Sequence, residues 1–467
     1  MDALNHYLDL IVGHVWGLPL VIVLVGTGLS LSVILGGIQL RGFVHGFHVL
    51  RGKYHDPKDP GEISHFQALC TALSATVGLG NIAGVAVAIK MGGPGATFWM
   101  ILTGLVGMAT KYAECSLAIM YRRVDEKGVV HGGPMHYIEL GLGKAFKPLA
   151  VFSAIAIMAS SFGAANMFQT NQVASILNSN FSVPPLLTGL VIGTLTAIVL
   201  IGGIKRIARV TSVLVPFMGL VYCGGAIFVI LKNMPALPGV ISMIFHDAFS
   251  GTAAVGGFAG VAVREVLVAG VRRACFSNEA GLGSAPIAHS AATTKEPIRE
   301  GVVALWEPFV DTVVICTMTA LVILISGAWT SDATGVELTA VAFNSALPGF
   351  GTYFVPFAVF LFAYSTLISW SYYGERALDY MTHGKGLMAY KVAFCIVAVI
   401  GAVWSLGPIV SFSDIMLGLM VVPNLTAVWL LLPKLRAATT SYFQRLKNGE
   451  FDRPLASAQN STVPGNR

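Results

Sequence analysis

Two short strings in this chain serve no purpose in a lipid-facing helix. Val77-Gly78-Leu79-Gly80-Asn81 sits at the centre of one apolar run, and Gly281-Leu282-Gly283-Ser284 at the centre of another. Glycine gives up helical backbone cheaply, so the chain can unwind at both places. Unwound amides and carbonyls exist at membrane depth only where they line a polar cavity. An exposed half-helix N-terminus carries roughly half a positive charge and several free N–H groups, which suits a carboxylate. The opposite half presents bare carbonyls, which suit an ammonium or an alkali cation. The chemistry on offer is therefore the binding of a zwitterion together with a cation, with no covalent step. Close packing of helices through small residues is the competing explanation. Two copies of the motif, with Asn81, Ser277, Asn278 and Glu279 beside them, favour the binding site.

The elements that must position these strings are membrane helices. Of the 467 residues, 55% are hydrophobic and only 11% charged, and the mean hydropathy is +0.74. A soluble domain needs more charge to cover its surface. Runs long enough to cross a bilayer lie near 16–37, 68–90, 95–121, 148–178, 185–203, 210–231, 253–296, 300–327, 352–378, 388–406 and 411–432, about eleven spans at roughly 20 residues each. The fold class expected is an all-α membrane protein.

Basic residues test that count. Arg41, Arg51 and Lys53, then Arg122, Arg123 and Lys127, then Lys205, Arg206 and Arg209, then Lys295 and Arg299, then Arg376 and Lys385, then Lys434 and Arg436 fall in alternate loops. The intervening loops hold little beyond Lys90 and Lys232. The positive-inside rule then puts the N-terminus outside and the C-terminus inside a cytoplasmic membrane. The net charge of +6 belongs to these loops and does not imply nucleic acid. The start of the chain lacks the basic flank and cleavage site of a signal peptide, so the run 16–37 is expected to stay as a span.

One transmembrane domain, 1–447, is expected. It comprises an extra N-terminal helix (16–37) and two five-helix blocks, 68–231 and 253–432, followed by a polar tail, 448–467, read as disordered. The first glycine string would run from inside to outside and the second from outside to inside. That is an inverted repeat, and paired interrupted spans at matching places in two halves point to a midplane binding site.

The strings ALSATVGLGNIAGVA (72–86) and FSNEAGLGSAPIAHSAA (276–292) resemble the signatures of the alanine/glycine:cation symporters, also called sodium:alanine symporters. The resemblance extends from about residue 10 to 440. It implies the leucine-transporter fold with one extra N-terminal helix, and sodium- or proton-coupled uptake of alanine or glycine in bacteria or archaea. The first string is also similar to the unwound first core helix of neurotransmitter:sodium symporters. That similarity implies that amides around Leu79 and Gly80, flanked by Thr76 and Gly78, hold a substrate carboxylate. It also implies one sodium ion between the carbonyls of Ser74 and Val77 and the hydroxyls of Ser365 and Thr366, within FAYSTLISWSYYGERAL. Asn81 falls where the related fold places a second sodium.

Other polar or aromatic residues have both a site role and a plain one. Gln169 with Phe168 is expected to face the site, whereas Thr170 and Gln172 are expected to glue helices together. Trp370, one turn past Thr366, and Phe276, just before the second string, are candidate pocket walls. Glu279 needs a partner, because an ionised carboxylate at the bilayer centre costs about 2.5–3.5 kcal/mol. The substrate ammonium, a cation, Arg272 and Arg273 are the choices. Lys111 and Glu114 are expected to pair at i,i+3, and Glu307 and Asp311 either to line an inner vestibule or to cap a helix. The six cysteines and His289 show no metal or disulfide spacing. Alanine or glycine, sodium and lipid are the expected partners of a monomer, with no cofactor. Two rivals are a same-fold carrier of another zwitterion or a nucleobase, and a membrane-embedded enzyme. No His/Asp/Ser or metal-ligand set recurs on neighbouring spans to favour the enzyme.

Overall fold

The computed structural model describes residues 2–252 and 261–451 and is about 81% helical. The first eight residues of the expected second block, and the expected disordered tail from residue 452 on, lie outside the described residues. Every apolar run named above carries helix. Among the described residues, five segments are long and apolar enough to cross a membrane: Lys144–Phe181, Gly203–Lys232, Pro297–Ile325, Phe350–Thr382 and Leu406–Lys447. Two bent pairs join them, Leu18–Ile34 with Ile38–Leu50 at 78° and His65–Thr76 with Gly80–Gly92 at 52°. Pro185–Leu200 and Leu387–Val403 are shorter apolar helices. Ala96–Met120 is a 25-residue helix that buries Lys111 and Glu114.

Local sequence explains the ends. The first broken helix starts at a capping box: Ser64 Oγ accepts the Gln67 N–H, and Gln67 Oε1 accepts the Ser64 N–H, satisfying two otherwise orphaned donors. Proline stands in the first turn of Pro185–Leu200 and Pro297–Ala304, where its missing N–H is not needed.

Among the described residues, four π-helical stretches, Gly80–Gly84, Tyr137–Gly141, Gly163–Met167 and Phe309–Cys316, interrupt the helices. Such bulges expose backbone groups and gather at functional sites. Three of the four surround the site described below.

Several helices fall where loops were expected. Asp2–Val15, Leu237–Ser250 and Gly335–Ala346 are helical, and so is Ile38–Leu50. They are too short or too mixed in polarity to read as spans. A two-stranded hairpin pairs Arg123–Val124 with Val130–His131. At the same end of the molecule the segments before the first broken helix and after the second are knitted together. Ile63 and Ala292 form a parallel bridge, and the Arg122 guanidinium donates to the carbonyls of Pro60, Ser290, Ala292 and Thr294.

Candidate substrate and cation site between two broken helices

The first break spans residues 77–79. The Gly78 N–H donates to Asn81 Oδ1 (2.9 Å) and the Leu79 N–H to Gln169 Oε1 (3.3 Å). These donors would serve the carbonyls of Ser74 and Ala75 in a continuous helix. Gly78 is required sterically, since a Cβ there would collide with Thr366 Oγ1.

The second break follows the helix Val263–Asn278 and precedes the short helix Ala285–His289. Gly281 (φ 93°) and Gly283 (φ 81°) turn in the left-handed region, and Glu279 shares it at φ 56°. A non-glycine residue held there costs on the order of 1–3 kcal/mol and is kept where the surroundings over-determine it. Here those surroundings are a buried acceptor and a buried donor. Glu114 Oε1 takes the Gly281 N–H (3.0 Å), and Asn424 Nδ2 donates to the Gly281 carbonyl (2.8 Å). The breaks touch: a Cβ on Gly80 would lie 3.1 Å from Ser277 Cα.

Between them lies a small cavity of about 20 Å³, room for about one water molecule. Thr76, Gly78 and Gly80 line it from the first break, Phe276 and Glu279 from the second, Gln169 from one neighbouring helix, and Thr366 and Trp370 from another. Glu279 Oε1 accepts the Trp370 indole N–H (2.9 Å), and Ser284 Oγ donates to Oε2. Glu279 thus presents a carboxylate held by neutral donors. Arg272 and Arg273 bind Asp414 instead.

Four oxygen-bearing residues meet beside the cavity. Ser365 Oγ lies 3.3 Å from the Ser74 carbonyl and 3.4 Å from that of Val77, and Ser74 Oγ donates to the Ser365 carbonyl at 2.7 Å. Thr366 Oγ1, one residue on, faces Gly78. Neutral oxygens only make a set suited to a hard monovalent cation.

Leu79, Asn81, Phe168 and Asn278 stand behind the cavity wall. Leu79 contributes only its N–H, held by Gln169. Phe168 packs edge-on against Phe276 at 5.6 Å. Asn278 accepts the Ala280 N–H (2.9 Å) and donates to Thr312 Oγ1 (3.0 Å). Asn81 Nδ2 donates to Asp311 Oδ1 (2.7 Å), and Asp311 Oδ2 accepts from Ser277 and Thr312. Asp311 is fully buried in this knot, neither a vestibule residue nor a helix cap. Glu307 is equally buried and pairs with Lys111 at 2.8 Å, so Lys111 crosses to another helix rather than pairing with Glu114. Thr170 bonds back to its own helix, and the cross-helix link is made by Asn171, which donates to the carbonyls of Gly401 and Trp404.

One side of the cavity is roofed. Arg273 lies over the Phe276 ring at 5.5 Å and joins Arg272 on Asp414. The Trp16 indole, ahead of the first span, donates to the Asp414 carbonyl at 2.8 Å. Sequence alone misplaced Asp311 and did not single out Asp414 or the wall residues Ala75, Ala164, Ala165 and Leu417. A carboxylate inside an apolar run was the available signal for the first two; alanines in a membrane helix carry none.

Residues 1–455 match the model of the family described as the sodium:alanine symporter family. The chain belongs to that family. It is 43% identical over 449 residues to a sodium/alanine symporter of Methanococcus maripaludis, covering 93% of this chain and 96% of that one. It is 42% identical over 453 residues to an uncharacterized transporter of Haemophilus influenzae, covering 96% and 98%. A probable sodium/glutamine symporter of Bacillus subtilis is 35% identical over 452 residues, covering 96% and 93%. Among solved structures, MhsT in complex with L-phenylalanine superimposes with a TM-score of 0.58 at 14% identity, covering 79% of this chain and 89% of that one. At that identity the likeness is one of fold. The protein is a multi-pass membrane transporter.

Proposed function

We propose that the protein is a sodium-coupled symporter that takes up a small neutral amino acid, alanine or glycine, across the cytoplasmic membrane. The observation that carries this reading is the small cavity shared by the two helix breaks, with a carboxylate on one wall and a cluster of neutral oxygens beside it.

The substrate carboxylate lies against the first break, where the N–H groups of Leu79 and Gly80 receive it as the Gln169 amide gives way. The substrate ammonium meets Glu279, whose neutral partners leave it free to accept a third donor. Phe276 and Trp370 close on the side chain, and the space between them suits a methyl group or a hydrogen. Sodium sits among the Ser74 and Val77 carbonyls and the Ser365 and Thr366 hydroxyls, tying the first broken helix to Phe350–Thr382. Asn81 is engaged by Gly78 and Asp311, so an ion placed there would have to displace both.

Transport follows by alternating access. The Arg272–Arg273–Asp414 cluster with Phe276 and Phe168 forms the outer closure, and the Arg122 clasp the inner one. Eleven crossings in a five-plus-five inverted repeat with one extra N-terminal helix, N-terminus outside and C-terminus inside, complete the arrangement, which needs only one copy of the chain. One positive charge moving down 100 mV releases about 2.3 kcal/mol, enough for roughly fifty-fold accumulation.

Proteoliposome uptake of labelled alanine, with and without an inward sodium gradient, tests the proposal. Sodium-stimulated uptake competed by unlabelled alanine and glycine is expected. Sodium-independent uptake would remove the ion assignment, and no uptake of any small amino acid would remove the cargo.

A further inference from the structure

A chain of buried ionisable groups runs away from the cavity toward the Arg122 end, and the transport reading leaves it unused. Lys111 Nζ lies 2.8 Å from Glu307 Oε1, Glu307 Oε2 lies 3.5 Å from His289 Nε2, and His289 Nδ1 lies 2.6 Å from Glu300 Oε1. The second Glu300 oxygen is bonded to His65 Nδ1. All five side chains are almost completely buried. One carboxylate thus bridges two imidazoles, and a second joins an imidazole to an ammonium.

The hydrogen inventory does not close without an added proton. Glu300 accepts on both oxygens, so each imidazole must present its N–H at Nδ1. A neutral imidazole carries hydrogen on one nitrogen only, and His289 Nε2 would then aim a lone pair at Glu307 Oε2. Neither of those two atoms has a hydrogen-bond partner among the described residues. Charge gives the same answer. Three buried carboxyls, Glu114, Glu279 and Glu307, surround the buried Lys111 ammonium, and two more, Glu300 and Asp311, lie close to His289 and to Glu307. Uncompensated buried charge costs several kcal/mol per ion, and a proton on the chain reduces it.

We propose that His289 and Glu307 form a proton-binding site, with an exchangeable proton held between His289 Nε2 and Glu307 Oε2. Glu300 and His65 link this site to the start of the first broken helix. The groups that face it are Glu300 and Asp311 on the segment around Glu307, Lys111, Glu114 and Cys115 from Ala96–Met120, His65 from His65–Thr76, Tyr373 from Phe350–Thr382, and Glu279 at the break. Arg122 at the rim donates to the Ser290 carbonyl next to His289 and adds a further cation nearby.

The link to transport rests on the symporter reading. His289 ends the half-helix that follows the second break, and Glu114 holds the Gly281 N–H of that break. Any movement of this half-helix changes the His289–Glu307 separation and with it the hold on the proton, so uptake depends on pH through this pair.

The test uses the full chain in lipid nanodiscs with nitrogen-15-labelled histidine. At about pH 7.5 an ordinary imidazole is mostly neutral. The wild type is expected to show an imidazolium signal there that is lost in H289Q. It is also lost in E307Q, whose amide donates to Nε2 and removes the need for the proton. Sodium-driven alanine uptake should change several-fold across the histidine titration range in the wild type and lose most of that dependence in both variants. A wild type whose histidines are all neutral at that pH, or an H289Q spectrum that has lost no imidazolium signal relative to wild type, overturns the proposal even if one variant fails to fold. Absence of amino-acid uptake at every pH would instead strike the symporter reading, and the histidine spectrum would still decide the proton site.

Discussion

Ser365→Ala is the substitution with the sharpest expected effect. The Ser365 hydroxyl lies 3.3 and 3.4 Å from the Ser74 and Val77 carbonyls and donates to the Phe362 carbonyl of its own helix at 2.9 Å. Its helix therefore survives its loss, and Ser74 Oγ still reaches the Ser365 backbone carbonyl. What goes is one of four oxygens around the proposed sodium. A hydrogen bond or ligand contact to a charged group contributes about 1.5–3 kcal/mol, which at 1.36 kcal/mol per decade is roughly a ten- to hundred-fold weaker ion site. The assay is initial alanine uptake into proteoliposomes as external sodium is varied. Half-saturation by sodium should rise by about that factor, while the rate at saturating sodium stays within about threefold of wild type. Unchanged half-saturation, with a lowered maximum rate instead, would refute the placement of sodium beside Ser365.

The remaining expectations concern other parts of the site and its surroundings. Gly78→Ala places a methyl on Thr366 Oγ1 and should reduce uptake more than about tenfold, since overpacking here costs about 1–3 kcal/mol; size-exclusion chromatography should show a folded protein. Phe276→Ala removes an apolar wall, so uptake of labelled alanine should become inhibitable by larger neutral amino acids, checked by a competition panel. His131, in the hairpin outside the spans, has its pKa raised above 6.5 chiefly by its hydrogen bond to Asp379, 3.0 Å away. A raised folded value means the ion pair's stabilisation is complete below about pH 6.5 and is lost as pH rises through the folded pKa. The melting temperature of His131→Gln should therefore fall below wild type at acid pH and converge with it at alkaline pH.

How much of this was legible beforehand depends on the kind of signal. The two breaks were readable because glycine doublets inside apolar runs contradict the lipid environment on their own, and the structure unwinds at both. Ser365 and Thr366 were reached only through the resemblance to known symporters, since two hydroxyls in a helix look like any helix-bonding pair. Partner choice among buried charges was not legible. Lys111 and Glu114 are one turn apart, yet Lys111 reaches Glu307 and Glu114 reaches the Gly281 amide, because both must be satisfied across helices that sequence spacing does not bring together. Asp311 was misplaced because a carboxylate near a span's start reads as a cap, whereas the π-helical stretch Phe309–Cys316 carries it inside. The helices Leu237–Ser250 and Gly335–Ala346 were missed because they are amphipathic and short, so no hydropathy run announces them.

Equilibrium binding of alanine to the purified protein, measured by calorimetry in sodium and then in potassium, tests most directly whether the two breaks form one site for a zwitterion and its ion. Alanine should bind at least about tenfold more tightly in sodium, and Glu279→Gln should abolish the binding in both salts while leaving the protein folded. Equal affinity in the two salts, or full affinity in Glu279→Gln, would contradict it.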